Sequence, residues 1–297
     1  MRCGSLRISV DAVGAVLPRY GNSGTIAVKP LPQSKSDSIG FSRDCCEQNS
    51  SRLNPLPKLG LNRSVMPRFF CAESIQQNTQ FELDTRVAQH VRVLRLREGE
   101  AITLFDGSGG ETPATLTRID KRSVEVTTRE HITIERESDR QITIYAALIA
   151  NERMDWMIQK ACELGVSTIH PIFTERSQRI PGDVGKRVEH WRGVLIAACE
   201  QCGRNQIPEI CAPVTLAEVQ SSLVGQSMVL LDADGDAVAP SIAADSISIF
   251  VGPEGGFAPS ELELLRNRCD HKLRIGCTVL RAETAAIAAM ASLASLM

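Results

Sequence analysis

Phe250-Val-Gly-Pro-Glu-Gly-Gly-Phe-Ala-Pro-Ser-Glu261 is the segment best suited to holding a ligand. An apolar strand runs into it and a helix leaves it. Gly252, Gly255 and Gly256 let the backbone take positive φ and approach a bound molecule with no Cβ in the way. Pro259 fits the first helical position and Glu261 the third. Ala258 falls where a capping Ser or Thr is expected, a loss of about 1 kcal/mol. The segment is no P-loop, because no Gly-Lys-Ser/Thr follows, and no dinucleotide fingerprint, because the G-x-G-x-x-G spacing is absent. Glu254 inside it would repel a polyphosphate. The competing reading is an ordinary tight turn from strand to helix.

A second segment, Leu273-Arg-Ile-Gly-Cys-Thr-Val-Leu-Arg-Ala-Glu-Thr-Ala-Ala-Ile287, repeats the plan. Leu273 to Ile275 is expected as a short strand, broken by Gly276, and an Ala-rich helix begins near Glu283. Glu283 and Thr284 can satisfy free amides at that helix start, where the dipole favours a carboxylate. Ala285 to Leu296 is apolar nearly all round, so this helix is buried either in the fold or against a second subunit.

Two shorter segments carry polar chemistry. Glu200-Gln-Cys-Gly-Arg-Asn205 closes a helix, and Arg204 and Asn205 after the capping Gly203 are expected on the surface, suited to phosphate or base contacts. Thr174-Glu-Arg-Ser177 leaves a strand end in the same way. Both lie at the carboxyl ends of strands, where open α/β sheets place their ligands. Cys199 and Cys202 form a C-x-x-C, but zinc needs a second pair of ligands and none is present at matching spacing.

The elements that must position these segments fall into two groups. From Met66 to residue 138 the pattern is mainly strands: Phe69–Cys71, Ala101–Phe105, Thr112–Ile119 and Ser123–Thr127. Asp106-Gly-Ser-Gly-Gly110 and Asp120-Lys121 are the turns, and a helix is expected over Asp84–Leu96. Short strands at this spacing suggest a small barrel. After Arg140 the period changes. Gln141–Ile149 is a buried strand, and Met154, Met157, Ile158, Ala161 and Leu164 fall at helical spacing before Gly165. Val166–Phe173 is the next strand, a helix through Val188, Val194, Leu195 and Ala198 ends at Gly203, and Met228–Leu231 and Ile247–Val251 are the last two strands. Such alternation gives a parallel sheet with helices on both faces.

Residues 1–65, rich in Ser, Pro, Gly and Asn, lack sustained periodicity and read as disordered. A basic leader of this kind suggests a transit peptide, but Asp11, Asp37, Asp44 and Glu47 argue against it, and Met66 as the natural start is the reading favoured. The 297 residues carry a formal charge of −2. Residues 1–65 hold nine Lys/Arg and four Asp/Glu, which leaves 24 basic against 31 acidic residues, −7, for the rest. Such a body does not bind nucleic acid by bulk electrostatics and needs a local basic face. No apolar run reaches the roughly 20 residues that span a bilayer. The ten cysteines are scattered and several lie in apolar helical patterns, so they read as reduced cytosolic thiols.

Taken together, these segments resemble the ribosomal RNA small subunit methyltransferase E group of the SPOUT methyltransferases. The resemblance runs from Met66-Pro-Arg-Phe-Phe70 nearly to the end of the chain. It includes Glu152-Arg-Met154, Gln159-Lys-Ala-Cys-Glu-Leu-Gly-Val166, Thr174-Glu-Arg-Ser177, Glu200-Gln-Cys-Gly-Arg-Asn205, Val251-Gly-Pro-Glu-Gly-Gly-Phe257 and Val279-Leu-Arg-Ala-Glu-Thr-Ala285, in fixed order. It implies an α/β fold: a SPOUT-type parallel sheet over residues 139–297 with a C-terminal trefoil knot, preceded by a PUA-like RNA-binding β-barrel over residues 66–138. It also implies a cytoplasmic homodimer that uses S-adenosyl-L-methionine, with no metal, to methylate N3 of a uridine in 16S rRNA of the small ribosomal subunit.

By position, the resemblance makes Gly252, Pro253, Glu254, Gly255 and Gly256 one cofactor loop. Ile275, Gly276, Val279, Leu280, Arg281 and Glu283 to Ala285, with Thr284 between, form the other. Arg68, Arg92, Arg95, Arg204 and Asn205 become RNA contacts. Three positions depart from the family's usual residues: Cys277-Thr278 replaces Pro-Arg, Cys202 replaces Ser, and Asn151 replaces Gly. The first of these lies in the knot loop and bears on cofactor affinity.

Methyl transfer from a sulfonium is an in-line displacement that needs alignment and exclusion of water. Uridine N3 must lose its proton and must be unpaired or flipped out. Glu200, Glu254 and Glu283 are the candidate bases, and Arg204 or Arg281 can stabilise the anion. Arg281, Glu283 and Glu200 are the catalytic assignments. The rival readings are a non-catalytic RNA-binding homologue, a SPOUT enzyme with another RNA target, and a hydrolase-like enzyme. The last lacks a G-x-S-x-G elbow.

Overall fold

A central strand buried on both faces is expected to be mostly apolar, and Gln141–Ala147 (β6) is: every residue after Gln141 is buried, with Thr143 and the Tyr145 hydroxyl the only polar side-chain groups among them. The computed structural model describes residues 66–179, 182–219, 226–237, 242 and 244–294. The readings made for residues 1–65 lie outside the described residues.

The N-terminal domain is built from Arg68–Phe70 (β1), Gln80–Glu82 (β2), Thr85–Val93 (α1), Ala101–Phe105 (β3), Thr112–Ile119 (β4) and Val124–Thr128 (β5). Its five-stranded sheet runs in the order β1-β3-β4-β5-β2, with only β1 and β3 parallel. Asp84 caps α1 by accepting a hydrogen bond from the Val87 amide at 2.9 Å. Val87, Ala88 and Val91 then face Phe69, Ile102, Leu104, Leu116, Val124 and Val126 to make one core. β2 was not expected from sequence. Among the described residues β1 and β2 are not paired with each other, so they form the two edges of the hydrogen-bonded sheet.

The second domain alternates strand and helix. After β6 come Asn151–Glu163 (α2), Thr168–Phe173 (β7), Val184–Cys202 (α3), Glu209–Ile210 (β8), Val214–Thr215 (β9) and Leu216–Val219 (α4). The chain continues through Ser227–Asp236 (β10), Ser246–Val251 (β11), Pro259–Arg268 (α5), His271–Leu273 (β12) and Ala282–Ala294 (α6). The sheet is parallel throughout, in the order β12-β10-β11-β6-β7-β8, with β9 also on β7. Side chains alternate across it. Ile142, Ile144, Ile169, Val229, Ile247 and Ile249 face α2, α3 and α6, while Tyr145, Ile172, Leu230 and Phe250 face α4 and α5. β7 lies on one side of β6 and β11 on the other. This reversal puts a switch point, where open α/β sheets hold their ligands, at the carboxyl ends of β6 and β11, which are paired as far as Ala146 and Val251.

The two domains meet across a seam of charged and polar groups. Glu111 takes hydrogen bonds from Arg68 and from Arg136 Nη1, the latter at 2.9 Å. Arg68 also donates to Asn205 Oδ1 at 2.7 Å, and Asn205 Nδ2 donates to the Ile134 carbonyl at 2.6 Å. Arg204 is held by Glu137 and by the carbonyls of Cys162 (3.0 Å) and Val166 (2.8 Å). Burial works against the Arg204 charge, but the hydrogen bonds and charge of Glu137 outweigh it and hold its pKa above the ordinary value.

Candidate active site

The segments leaving β11, β6 and β7 meet at this switch point, and the start of α6 reaches it. After β11 the chain makes a tight turn closed by the Gly256 amide on the Pro253 carbonyl at 2.9 Å. Gly256 has φ +68° with open space where a side chain would project. A Cβ on Gly252 would come within 3.1 Å of the Phe257 ring, so glycine here lets the buried Phe257 seat the loop on the α5 side of the sheet. Ala258 offers no side-chain cap to α5. Glu261 does half of the work instead, accepting the Ala258 amide at 2.9 Å. Its other oxygen accepts the Glu175 amide at 2.9 Å, and Arg176 Nη1 donates to the Gly255 carbonyl at 3.0 Å. The segment Thr174–Ser177, weak as a motif by itself, is therefore the frame of the glycine loop.

The second loop leaves β12 and reaches α6. β12 ends at Leu273, two residues before the expected end; the Arg274 amide still bonds to β10, at the Asp236 carbonyl, at 2.8 Å. Gly276 has φ +71°, again facing open space. Cys277, Thr278 and Arg281 are exposed, Leu280 is half-buried, and Val279 is 98% exposed. Glu283 enters α6 buried, at 7% exposure. Thr284 is exposed and Ala285 half-buried. The helix-capping role expected for Glu283 is not what the geometry shows. One of its oxygens lies 3.8 Å from Arg153 Nε, and the other is buried without a hydrogen-bond partner.

Arg153, in the first turn of α2, joins the two loops. Its Nη1 lies 3.3 Å from Glu254 Oε1 while its Nε faces Glu283. The glycine loop and the start of α6 thus converge at one guanidinium. Sequence reasoning passed over Arg153. The signal available was its place in the first turn after the carboxyl end of β6, beside the switch of strand order.

Other predicted residues lie elsewhere. Glu200 does not join Glu254 and Glu283: its Oε1 accepts the Phe70 amide at 3.0 Å and faces Arg86 at 3.4 Å, and its Oε2 lies 3.7 Å from His90. All these partners are in the N-terminal domain, so Glu200, expected as a candidate base, lies at the seam and apart from Glu254 and Glu283. Arg204 and Asn205, expected on the surface, are 7% and 0% exposed, and with Arg68 they spend their polar groups between the domains. Donors consumed in that way are not offered to phosphate. Arg92 and Arg95 do lie on the surface of the N-terminal domain: Arg92 on the Asp120 carbonyl at 3.0 Å, Arg95 exposed with φ +56°. Cys199 of the C-x-x-C packs its sulfur 3.4 Å from Cys162. That contact and burial push the Cys162 thiol up to about 12, so it is a neutral core group.

A family described as RNA methyltransferase domain matches residues 136–294, and one described as RNA methyltransferase PUA domain matches residues 83–128. The ribosomal RNA small subunit methyltransferase E of Rickettsia conorii is 30% identical over 235 residues, covering 75% of this chain and 93% of the relative. The crystal structure of the ribosomal RNA small subunit methyltransferase E from Neisseria gonorrhoeae, bound to S-adenosyl methionine, matches with TM-score 0.73 and 32% identity, covering 78% of this chain and 98% of that one. A putative methyltransferase from Legionella pneumophila, solved with bound S-adenosylmethionine, matches with TM-score 0.71 and 35% identity over 77% of this chain and 97% of that one. With a PUA-like domain leading into a parallel α/β sheet and two loops converging at its switch point, the chain belongs to the ribosomal RNA small subunit methyltransferase E family.

Proposed function

We propose that this protein uses S-adenosylmethionine to methylate N3 of a uridine in 16S rRNA. The observation that carries the reading is the convergence of Glu254 and Glu283 on Arg153, which brings the two glycine-bearing loops to one crevice. The residues there suit the cofactor. Gly256 and Gly276 leave backbone open to a ligand, Ile275, Val279 and Leu280 supply apolar surface for an adenine, and the unpartnered oxygen of Glu283 suits a cationic molecule. Gly252, Pro253, Thr284 and Ala285 complete the two loops.

S-adenosylmethionine supplies an electrophilic methyl on its sulfonium. The protein's part is to place N3 in line with it, remove the N3 proton and neutralise the resulting anion. Glu283, with one oxygen unpartnered, is the base, and Glu254 is the alternative. Arg281, two residues before Glu283 and exposed, neutralises the uridine anion. Arg92 and Arg95 grip the RNA on the N-terminal domain, supplying the local basic surface that the acidic body lacks.

The course of the chain supports a knotted end: β11 lies between β10 and β6, and after β12 the chain returns to lay α6 against α2. α6 buries Ala286, Ala289, Met290 and Leu293 but leaves Ile287 and Ala288 half-buried and Ala291 exposed. That uncovered apolar face, with Val279, supports a homodimer. No helix among the described residues is long and apolar enough to cross a membrane, and we place the enzyme in the cytoplasm with its ribosomal substrate. The deciding experiment is mass spectrometry of 16S rRNA nucleosides from cells with and without the gene. Loss of 3-methyluridine in the deletion, restored by the gene, is expected. Unchanged 3-methyluridine would refute the assignment.

A further inference from the structure

We propose that Arg153 is a positioning residue that sets the charge of the cofactor crevice, and thereby how strongly it prefers the charged methyl donor to the neutral by-product. The proposal rests on the reading that the crevice binds S-adenosylmethionine, but not on which nucleotide is methylated.

Glu254 and Glu283 belong to different loops, each following a different strand. Among the described residues the one cation paired with either is Arg153, at 3.3 Å from Glu254 and 3.8 Å from Glu283. Neither contact is a bidentate fork, so the arginine acts as a point charge shared between two acids. Arg176, the other arginine on the glycine loop, donates to carbonyls of Gly255 and Phe257 and pairs with neither carboxylate. Glu283 is buried with half of its acceptor capacity unused, a state that needs a compensating cation close by. The two carboxylates and the guanidinium that pairs with them carry one net negative charge between them.

Donor and by-product differ in charge at one atom. S-adenosylmethionine carries a sulfonium; after the methyl leaves with the bond to N3, the sulfur retains the bonding pair and S-adenosylhomocysteine is neutral there. Net negative charge on this cluster therefore holds the donor more tightly and lets the by-product go. Removing the Arg153 charge doubles that negative charge. Over a few ångströms in a partly solvated site, one added charge changes donor-over-by-product selectivity on the order of tenfold. It also unpins the loops, which weakens both ligands alike.

The test is titration calorimetry of the full chain with S-adenosylmethionine and S-adenosylhomocysteine separately, for the wild type, Arg153→Gln and Arg153→Lys. In Arg153→Gln both affinities are expected to fall, while the ratio of by-product Kd to donor Kd rises about tenfold. Arg153→Lys, which keeps the charge, is expected to restore the wild-type ratio. A merely structural residue would move both affinities together, so a ratio within twofold of wild type in Arg153→Gln overturns the proposal. So does a Lys variant that behaves like Gln. A wild type that binds neither ligand would overturn the cofactor reading itself and the proposal with it; this outcome is visible before any variant is made. A wild type that binds both ligands while 3-methyluridine is unchanged in the deletion refutes only the substrate assignment.

Discussion

Replacing Arg204 by methionine separates two incompatible accounts of the Glu200–Asn205 segment. In the structure Arg204 is buried, pairs with Glu137 and donates to the Cys162 and Val166 carbonyls. Methionine fills much of the same volume but provides no donor. Breaking a buried pair by removing one partner costs about 3–5 kcal/mol. Glu137 keeps 17% side-chain exposure, which puts its share near the lower limit. The two carbonyls that lose a donor add roughly 1 kcal/mol together, because the Cys162 oxygen still accepts the Gly165 amide. The sum is about 4 kcal/mol, a large part of the roughly 5–15 kcal/mol that holds a folded protein together. In urea denaturation, with a slope of about 2–3 kcal/mol/M, the midpoint is expected to fall by on the order of 1.5 M. If Arg204 were instead a surface phosphate contact, the midpoint would barely move, and the salt slope of RNA binding would drop by about one. An unchanged urea midpoint with a reduced salt slope would refute the seam.

Other perturbations reach different parts of the molecule. Burial alone would raise the Glu111 pKa, but hydrogen bonds from Arg136 and Arg68 outweigh it and hold it below its ordinary 4.5. Its folded pKa being depressed, Glu111 stabilises the fold above pH 4.5, and that contribution is lost as pH falls through the lowered value. Glu111→Gln is therefore expected to cost stability near neutral pH and progressively less in acid, which denaturation midpoints at several pH values measure. Gly276→Ala puts a side chain at φ +71° in open space, a strain of about 1–2 kcal/mol with no clash. It should weaken S-adenosylmethionine binding by about tenfold in calorimetry while the N-terminal domain is unaffected. Arg281→Ala should lower methyl transfer at least 100-fold, as loss of an electrostatic stabiliser does, and leave the urea midpoint unchanged because the side chain is exposed.

Much of the architecture was legible because the buried strands are long and apolar. Thr112–Ile119 coincides with β4, and Ile247–Val251 falls within β11, which begins at Ser246. Strands lacking that signal escaped. Gln80-Phe-Glu82 is polar on either side of a single half-buried Phe81, and β8 and β9 have two residues each. Glycines announced both loops, since positive φ at Gly256 and Gly276 is a local requirement. What remained hidden was long-range pairing. A polar Arg-Asn after a helix cap looks like surface, yet Glu137 stands 67 residues before Arg204 in the chain, and the Phe70 amide stands 130 before Glu200. Arg153 was missed for the same reason: its partners come from loops that leave other strands.

The seam also imposes an order on biosynthesis. The ribosome completes the N-terminal domain's share of the contact (Arg68, Glu111, Arg136 and Glu137) well before it reaches Glu200, Arg204 and Asn205, with 67 residues separating Glu137 from Arg204. At about 5–20 residues per second, that interval lasts roughly 3–13 s. Throughout it Glu111 already has Arg68 and Arg136 as partners, but Glu137 lacks Arg204 and Arg68 lacks Asn205, so the final docking must wait for the carboxyl end of α3 to emerge.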